Sequence, residues 1–96
     1  MKKITVEILT PECSLLRKEA DMVVAATVDG ECGFLTGHMP LIAALAKGKV
    51  RVVDGAQTIH VVVDGGIVNV GRDAVTVMAI QARIWADVAE DQKIRE

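Results

Sequence analysis

The 96-residue chain is long enough for one domain with one buried core and too short for two. Its 11 Lys and Arg nearly balance 13 Asp and Glu. That balance gives no electrostatic footprint for nucleic acid, and Phe34 and Trp85, the sole aromatics, give bases few rings to stack on. Apolar residues make up 51% of the chain, but no run approaches the roughly 18 needed to span a bilayer, so no direct membrane insertion is expected.

Alternation with a period of two dominates from the start. Ile4, Val6 and Ile8 share one face and Thr5 and Glu7 the other, which reads as a strand and not as a signal peptide. Thr10-Pro11-Glu12 breaks the run. A second run extends from Leu15 to Val28, with Ala20, Met22, Val24, Ala26 and Val28 on one face. The opposite face, Glu19, Asp21, Val23, Ala25 and Thr27, is polar at its ends and apolar in the middle, so half coverage is expected. Asp29-Gly30 signals a turn, and Gly33 and Gly37 bracket Phe34-Leu35.

His38 to Lys47 is ambiguous: Leu41-Ile42-Ala43-Ala44-Leu45-Ala46 has helical propensity, but the piece is short and closed by Gly48, so a strand or a single helical turn both fit. Lys49 to Val53 reads as a strand. Asp54-Gly55 turns it back into Thr58 to Val63, a good hairpin signal, with a loop of two residues or more. Asp64-Gly65-Gly66 is expected to end that strand and Ile67 to begin another. Ala74 to Ile80 is the last clear strand, with Val75, Val77 and Ala79 facing one way. Turns thus recur about every 8–12 residues, the spacing of a sandwich or barrel. At the end, Asp87 with Glu90 three residues on fits a capping box, but too few residues follow for a stable isolated helix, so a solvated tail is expected. Residues 87–96 hold four acids and two bases, which is the whole net charge of −2.

Chemistry-bearing residues are sparse. Cys32 with His38 or His60 offers a nucleophile–base pair, but the sequence supplies no third group to orient it and no nucleophile elbow. Cys13 and Cys32 lie 19 positions apart and the histidines 22 apart, which is no local metal-ligand cluster, and no metal is expected. The two cysteines could form one disulfide, but buried thiols of a cytosolic chain are the expected reading. The glycines lack the Lys-Ser/Thr of a phosphate loop. Glu7, Glu12 and Glu19 read as strand-face charges that keep sheet edges from pairing with other chains. The most informative stretch is Gly30-Glu31-Cys32-Gly33-Phe34-Leu35-Thr36-Gly37-His38-Met39-Pro40-Leu41-Ile42, a glycine-marked segment too apolar for a mere connector. Loops on rigid sandwiches commonly carry the binding surface.

That stretch, extended to Gly48, resembles the signature of the epsilon subunit of the F-type ATP synthase. The likeness rests on Gly30-Glu31-Cys32-Gly33, then Gly37-His38-Met39-Pro40-Leu41, then Gly48 before Val50-Arg51-Val52. Val6 to Glu12, Asp21 to Val24, Val63 to Val70 and Ala74 to Ala79 resemble other parts of the family in the same order, so the match covers about residues 3–80. Thr36 stands where the family usually has Pro, and Asn69 where an acid is common. The resemblance implies an all-β fold, a flattened antiparallel β-sandwich of about ten strands over residues 1–86. Residues 87–96 form a short polar tail in place of the family's C-terminal helical hairpin. The chain is thus either a piece of a longer one or a naturally short form. Because that hairpin is what inhibits hydrolysis and, in some members, binds ATP, neither property is expected here.

The implied function is a non-catalytic rotor subunit of a proton-translocating synthase, with no cofactor, on the cytoplasmic face of the bacterial plasma membrane. It links the gamma subunit to the ring of c subunits. Carried over residue by residue, Glu31 and Cys32 fall at the c-ring contact, and His38, Met39, Leu41 and Ile42 where the family packs toward gamma. The plain alternatives are a turn acid for Glu31, a hydrogen-bonded loop residue for His38 and core positions for Leu41 and Ile42. A free-standing sandwich that binds another protein is the rival function, and a small cysteine enzyme a third.

Overall fold

The computed structural model describes residues 3–37 and 39–89, with residues 85–89 described by their backbone alone. The described residues form eight strands: β1 Ile4–Leu9, β2 Ser14–Ala20, β3 Met22–Thr27, β4 Gly30–Phe34, β5 Leu41–Asp54, β6 Gln57–Val70, β7 Ala74–Ala79 and β8 Ala82–Ala89. Leu41–Ala46, ambiguous in sequence, is strand: it pairs along its length with the end of β6, from Leu41↔Val70 to Leu45↔Gly66, and tertiary pairing overrides local helical propensity.

The two 14-residue strands, β5 and β6, organise everything. They hold one register from Leu41↔Val70 to Asp54↔Gln57. The ribbon bends in its middle, so each strand serves two layers. One layer is β2, β1, β7, the second half of β6 and the first half of β5. The other is β8, the first half of β6, the second half of β5, then β3 and β4. Five segments plus five give the ten expected, although the described residues form eight elements. One ladder departs from the antiparallel rule: β1 and β7 run parallel, from Thr5↔Ala74 to Leu9↔Met78. A parallel pair needs a long crossover, and here the other layer supplies it.

The bend shows in the burial pattern. In β6, Ile59, Val61 and Val63 point inward before the bend and Val68 and Val70 after it, so the inward parity switches from odd to even. In β5 Leu45 is inward on one side of the bend and Val50 and Val52 on the other. Asp64-Gly65-Gly66 is therefore not the end of a strand but a corner inside one. Gly65 and Gly66 take φ of +81° and +132°, which side-chain-bearing residues adopt only at a cost. A Cβ on Gly66 would run into the Met78 carbonyl and lie 2.8 Å from the Ala79 Cα, so β7 can approach only a glycine there.

The core lies between the layers. Ile4, Val6, Ile8, Val75, Val77 and Val68 from the first layer meet Val23, Val50, Val52, Val61, Val63 and Phe34 from the second. Most are β-branched, which suits a pleated buried surface. The inward faces expected for β1, the first half of β6 and β7 are the ones observed.

The expectation for β3 is reversed: Val23, Ala25 and Thr27 are buried, while Met22, Val24 and Ala26 are half-exposed and Val28 is exposed. The long run is not one strand. It turns a corner at Asp21 and passes from the first layer to the second, which resets the alternation. Asp21 fixes the corner: its N–H donates to the Val53 carbonyl (2.8 Å), and its carboxylate accepts from the Gly55 N–H (2.6 Å). The β5–β6 turn is the tight two-residue form, Gly55-Ala56, with φ of +62° at Gly55 and no positive φ at Ala56, the signs of a type II′ turn.

β8 is the strand the sequence reading lacks. It pairs antiparallel with the first half of β6, but Val61 faces Ile84 and His60 faces Ala86, so Trp85 is an extra, bulged residue. A bulge interrupts period-two alternation, the very signal used to find strands. β8 also runs through the expected boundary at residue 86. Asp87 pairs with Ile59 in extended backbone and does not start a helix. Glu90, the partner in the expected capping box, lies with the rest of the tail outside the described residues.

Candidate functional site

The glycine-marked segment folds as β4 plus the loop that carries the chain back to the first layer. Thr27 nucleates the β3–β4 turn. Its buried hydroxyl donates to the Gly30 carbonyl (2.6 Å) and accepts from the Asp29 N–H (3.2 Å), and Gly30 completes the turn at φ +120°. β4 pairs with β3 alone and so forms an edge. Glu31 and Cys32 are both exposed on it, but neighbours on a strand point to opposite faces. Glu31 lies on the outer face, where it accepts from Arg51 Nη2 at 3.2 Å. Cys32 shares the parity of the buried Phe34 and opens at the rim of the core. A flat partner on the outer face meets only Glu31; one that addresses the edge or end of the sandwich meets both.

The next group divides differently. The Gly37 N–H donates to the Arg72 carbonyl at 2.8 Å, tying the loop to the β6–β7 turn. His38 lies outside the described residues. Met39 is 79% exposed and Ile42 71%. Leu41 is half-buried and packs against the core, as the plain alternative for it held. Met39 and Ile42 are thus open at the surface, and Leu41 belongs to the fold.

Ile42 does not stand alone. On the outer face of the first layer a cross-strand row runs Ala44, Ile67, Met78 and Leu9, each opposite the next in register. Ile67 is 44% exposed and Met78 40%. The neighbouring row, Ile42, Asn69, Thr76, Glu7 and Arg17, is polar beyond Ile42. Ser14 Oγ donates to Glu7 at 3.2 Å there, which borders the apolar row with a hydrogen-bonded rim. Such a patch rimmed by polar residues is the usual form of a protein-docking surface. Sequence reading finds Ile42 but misses Ala44, Ile67, Met78 and Leu9, because they lie on four strands and join only through register.

The arrangement offers little to chemistry. Cys32 and His60 sit on opposite faces with β3 and β5 between them, so no nucleophile–base pair forms from them. Burial, and next the positive charges of Lys49 and Arg51, hold His60 below its ordinary pKa, which favours the neutral ring. Among the described residues no three His, Cys, Asp or Glu side chains converge as metal ligands, and no helix is long and apolar enough to cross a membrane.

Comparison with known proteins places this geometry. Residues 3–85 match the family described as ATP synthase, Delta/Epsilon chain, beta-sandwich domain. The ATP synthase epsilon chain of Frankia casuarinae is 44% identical over 82 residues, 84% of this chain and 96% of that one. That of Brevibacillus brevis is 37% identical over 89 residues, 92% of this chain and 67% of that one. Among solved structures, a chain in the cryo-EM structure of the Euglena gracilis mitochondrial ATP synthase (OSCP, F1 and c-ring) superposes with a TM-score of 0.82 at 23% identity, covering 88% of this chain and 54% of that one. A chain in the central stalk and c-ring of the Tetrahymena thermophila enzyme gives 0.68 at 17% identity, covering 86% and 69%. At those identities the structural likeness speaks for the fold.

Proposed function

Since the chain belongs to the ATP synthase delta/epsilon-chain family, we propose that it is a non-catalytic subunit of the central stalk of an F-type ATP synthase, where it joins the gamma subunit to the c-ring. It is a peripheral component of a membrane-bound machine, and in a bacterium it faces the cytoplasm. Its work is mechanical. Torque passes through a part without loss only if the part is stiff and is gripped at two places. A close-packed Val-rich core supports the stiffness.

The observation that carries the reading is the apolar row at Ala44, Ile67, Met78 and Leu9 with Ile42 beside it, an exposed sheet face in a chain of this family. Gamma docks there, with Met39 and Ile42 from the resemblance and Ile67 and Met78 added by the register. The polar edge at Glu31 and Cys32 is the ring contact. Ion translocation and ATP chemistry belong to other subunits.

Ile67→Asp tests the assignment. The side chain is on an outer face, so the fold is retained. A charge at the centre of a desolvated patch weakens gamma binding at least about a hundredfold, in the range of an interface hot spot. The measurement is the affinity of the purified chain for gamma by titration calorimetry, with a thermal melt of each protein. No complex with gamma at micromolar concentrations of wild-type protein sinks the proposal.

A further inference from the structure

Three of the described strands keep one edge without a neighbour: β2 pairs with β1 alone, β8 with β6 alone and β4 with β3 alone. An open edge invites another chain, and proteins ordinarily blunt it with charge, proline or a bulge. β2 carries Arg17, Lys18 and Glu19 in succession, and β8 carries the bulge at Trp85. β4 has neither device. Its ladder with β3 runs from Thr27↔Gly30 to Val23↔Phe34 without a shift, and Glu31 is its one charge. We propose that this edge takes the same edge of a second copy, so that the free chain forms a dimer by antiparallel β4–β4 pairing centred on Cys32.

The turn decides which groups the edge offers. Val28 and Asp29 make a two-residue turn, so Thr27 and Gly30 close it as a hydrogen-bonded pair. Bonded and non-bonded pairs alternate along an antiparallel ladder. Ala26↔Glu31 and Val24↔Gly33 are therefore non-bonded pairs, and the N–H and C=O of Glu31 and Gly33 point away from β3. These are the groups that a partner strand must meet.

Self-pairing about a two-fold axis then has few registers. A centre between residues opposes an outward-facing group to an inward-facing one. A centre at Glu31 sets two carboxylates directly opposite, which is repulsive. A centre at Gly33 sets Glu31 against Leu35, which lies beyond the strand. A centre at Cys32 uses all 5 residues of β4 and sets Glu31 of each copy against Gly33 of the other. Each such pair exchanges both of its hydrogen bonds, the two glutamates are staggered, and glycine leaves room for each of them.

The two Cys32 residues then form the central, non-bonded pair, the closer kind, with Cα atoms about 4.5 Å apart. That separation lies within the span of a disulfide. Both cysteines are free and exposed, where the sequence reading expects buried thiols, so the Cys32 thiol reports on this register. The paired edge is short, and the dimer is correspondingly weak, with Kd on the order of 10–100 µM. Where Glu31 and Cys32 meet the ring, as proposed above, the dimer and the assembled stalk exclude each other. The dimer itself does not rest on that assignment.

The test is sedimentation equilibrium of the purified chain from about 10 µM to about 1 mM. Brief diamide treatment follows, in which two thiols join as S–S and their two hydrogens pass to the diamide. The wild type approaches twice the mass of one chain at the upper concentration, and Cys13→Ser still gives a cross-link, through Cys32. Cys32→Ser keeps the dimer and loses that cross-link. Gly33→Pro removes an outward N–H without costing a bond to β3, and Cys32→Lys sets two ammonium groups face to face at the axis. Each weakens association at least about tenfold, with a thermal melt that shows the fold is kept. A wild type that stays monomeric at the upper concentration overturns the proposal. So does a dimer that survives both variants and dissolves on Ile67→Asp, which assigns it to the apolar row instead.

Discussion

The two ends of the sandwich are closed by opposite means. At one end the β5–β6 ribbon passes from layer to layer without a break, and glycine geometry makes the passage. At the other, side-chain charges draw the layers together. Lys3, from the start of β1, pairs with Asp54 and reaches Asp21 at 3.3 Å, and Lys18 of β2 reaches Asp54 at 3.3 Å. Asp54 and Asp21 belong to the β5–β6 turn and the β2–β3 corner, so the cluster joins both layers. The bend relies on backbone conformation and close packing, which neither salt nor pH alters. The charged latch is half-exposed and answers to both. The comparison teaches that a torque-bearing part can be closed at one end by backbone geometry, while the other end is held by interactions that solvent can loosen.

The largest expected effect comes from Gly66→Ala. The substitution forces a methyl group into the β7 backbone at a φ that alanine resists, and destabilisation of about 3 kcal/mol or more is expected, read by urea unfolding. A variant as stable as wild type breaks the account of the bend. Gly55→Ala comes next. Gly55 also has positive φ, but no atom lies within 4 Å of its Cβ position, so only the backbone term of about 1–2 kcal/mol remains. The difference between the two substitutions isolates the close approach of β7.

Asp54→Asn removes two ion pairs from the latch and is expected to shift Tm less than either glycine change, with the gap to wild type closing as salt rises. The smallest effect is in pH. Asp54 is held below its ordinary value of 3.8 chiefly by the hydrogen bond from Lys3, and Asp21 by that from the Gly55 N–H. Groups with depressed folded-state pKa stabilise above their unfolded pKa and lose that contribution as pH falls through the folded value. Lys3 is raised above 10.5, chiefly by Asp54, so its contribution is present below 10.5 and lost as pH rises through the higher folded value. The latch should therefore hold in full between about pH 4 and pH 10.5 and weaken progressively beyond either limit. A Tm-against-pH profile of Asp54→Asn that declines as steeply below pH 4 as wild type sinks the latch.

Much of this was legible in the sequence, and the failures have physical causes. Where a strand keeps one neighbour relation along its length, as at Ile4-Val6-Ile8 or Val75-Val77-Ala79, alternation alone names the buried face. It misnames the face of β3, because Asp21 turns a corner inside an apolar run. It misses β8, because Trp85 bulges. The proposed binding region divides likewise. Glu31, Cys32 and Ile42 stand out through the motif they share with a family. The row from Ala44 to Leu9 is built from residues far apart in the chain, and nothing local marks it.

The parallel pairing of β1 with β7 has a consequence for how the chain is made. β1 precedes every other described strand, yet one of its two neighbours is β7, which ends 70 residues after it at Ala79. The hairpin of β1 and β2 can form early in synthesis, but the other edge of β1 has no strand to pair with until β7 is made. Non-local pairing of this kind is slow, because the loop must close before the contact rewards it. The second edge of β1 therefore waits while β2 to β6 are made, and its parallel ladder is among the late contacts of the sandwich.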